Sequence, residues 1–173
     1  MRLVDLGAWE LELESTEGRE FQSIFQFAFA LTDLQSKTTI ESTLKLPASS
    51  GCYFWLMGYD SRRFKIYIGK ARSIRKRITD YAKGFQPHSP NDYKLRLFQE
   101  GMNRDLASAT LELYYVEVAG EKQRGEAETK FKCRFRPRIN YLPKPLPQER
   151  EAIRNAYRDY YQSCIARHIA DSG

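Results

Sequence analysis

Several common ways of stabilising a small protein are missing from this chain. It has only three cysteines, Cys52, Cys133 and Cys164, far apart and with no C-x-x-C pair, which argues against a disulfide framework and against a zinc ribbon. Histidine is scarcer still, with His88 and His168 alone. No apolar run approaches the roughly 18 residues that a membrane span needs. Asp5 and Glu10 stand where a secretory leader would be basic and then apolar. No internal repeat is visible. These absences predict a soluble protein of the reducing cytoplasm with no membrane partner. Its 173 residues suffice for one compact domain with small additions and a core that needs no staples.

What the chain does have is positive charge, unevenly placed. The net charge is +6, yet residues 1–50 hold 4 Lys and Arg against 8 Asp and Glu, leaving 24 against 14 for residues 51–173. The basic surface therefore belongs to the later part of the chain, where a polyanion would bind.

Hydrophobic spacing divides the chain into elements. In "GAWELELES" apolar and acidic residues alternate, predicting a half-exposed strand with Trp9, Leu11 and Leu13 on one side. "EFQSIFQFAFALTDL" carries Phe21, Ile24, Phe25, Ala28, Phe29 and Leu31 at mostly helical spacing, predicting a buried amphipathic helix. "CYFWLM" and "FKIYIG" are β-prone runs separated by "GYDSRR", whose Gly58, Asp60 and Ser61 predict the turn of a hairpin. A basic helix is expected from Gly69 onward, with Ile74, Ile78 and Tyr81 as its apolar stripe. After the loop "GFQPHSPND", a second helix is expected, capped by Asn91 or Asp92, with Leu95 and Phe98 inward and Gly101 as its stop. "ATLELYYVEVA" predicts a strand, and "EKQRGEAETKFKCRF" a helix ended by Pro137. A proline-rich connector, "YLPKPLP", leads to a long amphipathic helix marked by apolar residues from Ala152 to Ile169. The aromatic face of that helix either packs on the core, the favoured reading, or joins a second copy in a homodimer. His168, near its end, is a cation suited to a helix C-terminus. The sum is an α+β domain.

Three separated signals then resemble one family, the GIY-YIG nucleases. "GCY" at 51–53 stands where the first motif falls, "YIG" at 67–69 matches the second, and the interval suits the two strands of a hairpin. "YIGKARSIRKRI" is similar to the usual continuation, with Arg77 ten residues after Tyr67; "AETKFKCRFRPRIN" places Glu128 nine residues before Pro137, with Asn140 beyond. There are two departures: Cys52 replaces an isoleucine, and Phe131-Lys132 replaces an apolar pair. The second keeps Glu126 in view as an alternative carboxylate. The resemblance covers residues 46–140 and implies a catalytic core there. That core is a sheet of about three strands flanked by helices, with helical additions at 1–45 and 141–173.

The resemblance also implies a chemistry, the hydrolysis of DNA phosphodiesters. Glu128 is the expected ligand of Mg²⁺ or Mn²⁺, hard ions content with few carboxylates and several waters. Tyr53 and Tyr67, side by side on the paired strands, are expected near the reacting atoms, one orienting or deprotonating water. A tyrosine titrates near 10 and needs positive neighbours to do so. Arg77 is expected on the scissile phosphate. Lys70, seven residues earlier, would share its face if the helix begins near Gly69. Arg72, Arg75 and Lys76 would contact flanking phosphates, and Gly69 would permit close backbone approach. His88 is a candidate auxiliary acid or base, while Gly51 and Asn140 are structural supports. The expected setting is restriction or defence, with repair, recombination or a mobile element as alternatives. A non-catalytic nucleic-acid-binding module is the competing class.

Overall fold

The computed structural model describes residues 9–32, 37–83 and 108–141. Four strands form one antiparallel sheet: β1 (Gln26–Leu31), β2 (Gly51–Tyr59), β3 (Arg62–Ala71) and β4 (Thr110–Glu117), in the order β1-β4-β2-β3. The helices are α1 (Thr16–Ile24), α2 (Lys37–Thr43), α3 (Ile74–Ala82), α4 (Glu121–Phe135) and the short α5 (Arg138–Tyr141).

The hairpin of β2 and β3 is the centre of the fold. Its turn uses two residues, Asp60 and Ser61, with φ of 49° and 60°. That left-handed pair matches the right-handed twist of the flanking strands. Every residue of β2 from Gly51 to Met57 is buried, because helices cover both faces of a central strand; its near-continuous apolar run follows. One core layer collects Trp55, Ile66, Ile74, Ile78, Tyr81 and Leu113 on one face. The other face gathers Phe21, Phe25, Phe54, Phe131 and Phe135, rings that meet mostly edge to face at 4.8 to 6.4 Å between centroids.

The N-terminal segment departs from expectation twice. The predicted strand over "GAWELELES" is reduced to one bridge between Glu10 and Phe64. Ser15 ends it, its hydroxyl accepting from the Gly18 amide at 3.0 Å and so capping α1. The predicted helix over "EFQSIFQFAFALTDL" stops at Ile24, and "QFAFAL" continues as β1 against β4. Phenylalanines at 25, 27 and 29 recur with period two, and a free edge on β4 selects that period over the helical one. The N-terminal region therefore supplies a fourth strand where helical additions to three strands were expected.

At the opposite edge the chain wraps around β3. Phe135 of α4 packs on one face, Ile139 of α5 on the other, and Asn140 docks on the strand between them. Its Nδ2 donates to the Ile68 carbonyl and its Oδ1 accepts from the Ile68 amide, both at 2.9 Å. The side-chain amide thus makes the two bonds a fifth strand would make and blunts the open edge. Two lost bonds and a half-buried peptide left bare should cost about 1–3 kcal/mol. Asn140→Ala should lower the thermal midpoint by several degrees, and Asn140→Asp, which lacks the donor, should not rescue it. Differential scanning calorimetry would decide; an unchanged midpoint would remove Asn140 from the account of the fold.

The expected second helix with Asn91, Asp92, Leu95 and Phe98, the loop holding His88, the proline-rich connector and the C-terminal helix with His168 all lie outside the described residues.

Candidate active site

The site is organised by two neighbouring residue pairs across β2 and β3, Tyr53 with Gly69 and Cys52 with Lys70. Successive strand residues point to opposite faces, so the two pairs present chemistry on opposite sides of the sheet, one step apart and next to the β3 edge.

On the α3 face, the Tyr53 ring lies across Gly69. A Cβ added to Gly69 would sit 2.5 Å from Tyr53 Cζ and 3.0 Å from Cε1; no other residue leaves that space. The Tyr53 hydroxyl is 2.9 Å from the Tyr81 hydroxyl and accepts a bond from Arg77 Nε at 3.4 Å. The Arg77 guanidinium lies 4.7 Å from the centre of the Tyr81 ring, a cation–π contact that fixes its plane. Tyr67 pairs with Trp55 and lies diagonal to Tyr53, ring centres 6.1 Å apart. The two tyrosines expected side by side are diagonal neighbours, offset by two residues in the register.

On the α4 face, Glu128 comes down over the Cys52–Lys70 pair. Its carboxylate is 3.6 Å from Lys70 Nζ and 3.0 Å from Lys132 Nζ, and its side chain is only 13% exposed. The proximity is also visible in Cys52. Its thiol is pushed up to about 12, first by burial and then by the Glu128 charge. Glu126, the alternative carboxylate, points outward, 66% exposed and 4.0 Å from Lys122. Gly125 leaves room for the Lys70 ammonium, which would be 3.4 Å from a Cβ there.

One expectation is corrected. Lys70 and Arg77 do not share a helical face, because α3 begins at Ile74, four residues after Lys70. Ser73 caps α3 by accepting from the Lys76 amide at 3.3 Å, leaving Lys70 on β3 toward Glu128 and Arg77 on α3 toward Tyr53. Of the basic residues expected to meet flanking phosphates, Arg72 is exposed and 3.5 Å from Glu121, Lys76 is exposed, and Arg75 donates to the Leu46 carbonyl at 2.8 Å. Gly51 is locked by packing, since a Cβ there would come 2.9 Å from Ile74 Cδ1 and 3.0 Å from the Val116 carbonyl carbon.

Two participants were not singled out from sequence. Tyr81 was counted as apolar stripe, although a hydroxyl at a fully buried helix position needs a polar partner, and that partner is Tyr53. Lys132 reads in the sequence as a departure from pattern and as an ordinary surface partner of Glu128, which it engages at 3.0 Å.

The donor chemistry suits one kind of ion. Among the described residues no group of three or more His, Cys, Asp and Glu could cage a metal. A protonated Cys52 is a poor soft ligand. A single carboxylate at the margin of solvent suits a hard ion that keeps most of its waters, Mg²⁺ or Mn²⁺, better than zinc.

The buried thiol yields a check on this geometry. Iodoacetamide at about pH 8 should modify exposed Cys133 in the native protein and spare Cys52 until unfolding. Peptide mass mapping would show it. Tyr114 is likewise pushed up to about 12, by burial and then by Glu112. Both groups keep protons in the folded state that the unfolded chain releases above pH 9.0 and 10.0. Their stabilisation is therefore complete below about pH 9 and is lost as pH rises toward 12. Urea midpoints that stay level from pH 8 to 11 would contradict the buried placement.

No family model matches the chain. Over 109 residues it is 29% identical to UvrABC system protein C of Wolinella succinogenes, covering 63% of this chain and 17% of that protein. The chain thus spans about a sixth of the length of that curated relative. Among solved structures it is similar to the GIY-YIG N-terminal endonuclease domain of UvrC from Thermotoga maritima, bound to magnesium. That likeness has a TM-score of 0.40 and 22% identity over 61% of this chain and 98% of that one. A point mutant of the same domain, bound to its catalytic divalent cation, has a TM-score of 0.41 and 20% identity over 62% and 99%.

Proposed function

We propose that this chain is a metal-dependent endonuclease of the GIY-YIG kind that hydrolyses DNA phosphodiester bonds at the β3 edge. The observation that carries the reading is a largely buried carboxylate, Glu128, held between Lys70 and Lys132. It lies one strand step from a tyrosine that is hydrogen-bonded to an arginine. A protein that merely bound DNA would have no use for a carboxylate against its phosphate-facing lysines; a nuclease needs one to hold a cation.

In this reading the residues divide the work. Arg77, its plane fixed by Tyr81, meets the non-bridging oxygens of the scissile phosphate and offsets the charge that builds there. Tyr53, hydrogen-bonded to Tyr81 and Arg77, positions that guanidinium. Tyr67, its ring centre 6.1 Å from that of Tyr53, orients the attacking water by hydrogen bonding to it. Lys70 and Lys132, at 3.6 and 3.0 Å, hold the Glu128 carboxylate in place. A Mg²⁺ or Mn²⁺ ion held by Glu128 would supply a positive centre for phosphate and water. Arg72 and Lys76 meet phosphates on either side, and His88 remains an auxiliary acid or base.

The setting follows from the product. Restriction or defence predicts cuts at fixed sequences; the likeness to a UvrABC system protein favours a repair setting, with cuts directed by DNA structure. The test is incubation with supercoiled, linear, branched and lesion-bearing DNA in Mg²⁺, beside an EDTA control. Metal-dependent cleavage is the expected result. Binding without cleavage of any of these DNAs would replace the nuclease with a binding module on the same scaffold.

A further inference from the structure

A second basic site lies on the same β3 edge, and the catalytic reading does not use it. Where the chain wraps from α4 into α5, "RFRPR" alternates between exposed and buried residues. Phe135, Pro137 and Ile139 are buried, while Arg134, Arg136 and Arg138 are exposed. The alternation leaves three guanidiniums outside, around a cavity of about 340 Å³ that Trp9, Glu17 and Lys65 also line. Four cations therefore face one carboxylate at its walls. The site is built, too. Arg138 lies 4.3 Å from the Trp9 ring centre, which holds its guanidinium flat. Lys65, only 5% exposed, is anchored by Glu17 at 2.8 Å, and Arg134 by Glu20. The backbone of Arg136 is in the left-handed region, φ 48°, with its amide bonded to the Lys132 carbonyl at 3.0 Å. That conformation turns the chain and sends Arg136 outward.

From these observations we infer that the Arg134–Arg138 turn, with Trp9 and Lys65, is a phosphate-binding subsite for a DNA strand, separate from the scissile position. Two features point to a strand as the occupant. The cavity is polar and cationic, which suits a polyanion rather than an apolar peptide. It also lies in line with the candidate active site, since Arg138 shares α5 with Asn140, which is bonded to Ile68, and Lys65 is five strand residues from Lys70. Five residues of strand span roughly 16 Å, about five nucleotide steps at 3.4 Å each. A strand engaged at Lys70 would reach this cavity about five nucleotides away. The inference deepens the DNA reading above and rests on it.

The test is equilibrium binding of the full chain to a labelled duplex and a labelled single strand, in EDTA so that no cleavage intervenes. The variant is Arg136→Asn with Arg138→Gln. Asparagine tolerates the left-handed backbone, and the Arg134–Glu20 pair is untouched. Affinity should fall roughly tenfold, and the slope of log affinity against log salt should flatten by about 2. A Lys37→Gln, Lys45→Gln control loses the same charge from the α2 region and should change far less. Arg138→Glu alone, with a wild-type melting midpoint, should weaken binding further, so that misfolding cannot account for the result. Unchanged affinity, or an equal loss in the control, overturns the inference. A wild type that binds but never cuts fails the nuclease reading and leaves this one standing; cutting with affinity insensitive to the double change fails this one alone.

Discussion

Glu128→Gln is expected to reduce cleavage by roughly 10³-fold or more, the usual scale for removing a centre of charge stabilisation, while DNA binding is kept or strengthened. The geometry sets both halves. Glutamine fills the same volume beside Cys52, so the fold should hold within about 1.5 kcal/mol, but it leaves no anionic oxygen for a divalent ion. It also releases Lys70 and Lys132, which the carboxylate engages at 3.6 and 3.0 Å. Two ammoniums freed at the edge proposed to face phosphate should tighten binding in EDTA by several fold. Glu126→Gln is the comparison, because that carboxylate is exposed beside Lys122 and its loss should leave cleavage unchanged. If Glu126 were the residue that matters, α4 would have to be rotated by about 200° from its observed setting. Retained cleavage in Glu128→Gln would remove the carboxylate from the chemistry and with it the main argument for an enzyme.

The hairpin, α3, β4 and α4 were legible in the sequence because each carries a strong local signal. "CYFWLM" and "FKIYIG" flank turn residues, and Pro137 follows the last helical turn of α4. The N-terminal region was misread because its period depends on a distant partner: "QFAFAL" becomes a strand only when β4 offers an open edge. The candidate site was legible as a set of residues that the fold brings near one another, but not as an arrangement. Tyr53, Tyr67, Lys70, Arg77 and Glu128 could be named from motifs. That the carboxylate and the tyrosines approach from opposite sheet faces follows from strand alternation, which motif spacing alone does not reveal. Placing Lys70 on the helix of Arg77 ignored Ser73, a capping residue that was visible in the sequence.

Gly69→Ala should damage both stability and cleavage although it adds only one methyl. The residue has no unusual backbone angle, so its requirement for glycine is one of space: the Tyr53 ring occupies the place of a side chain. A Cβ there forces the ring away or the strands apart, an overpacking cost of about 1–3 kcal/mol in a fully buried layer. Movement of the ring also drags the Arg77 guanidinium, whose hydrogen bond to Tyr53 is already long at 3.4 Å. A displacement of about 1 Å at the reacting centre costs on the order of 10²-fold in rate. The mechanism predicts a particular non-additivity. In a Tyr53→Leu background the methyl no longer meets a ring, so Gly69→Ala should then cost little stability, although cleavage remains low because Arg77 has lost its partner. Unfolding midpoints of the four proteins give the coupling directly. A Gly69→Ala penalty of equal size with and without the Tyr53 ring would mean that the glycine serves the strand backbone, and that its proximity to the tyrosine has no part in positioning the arginine.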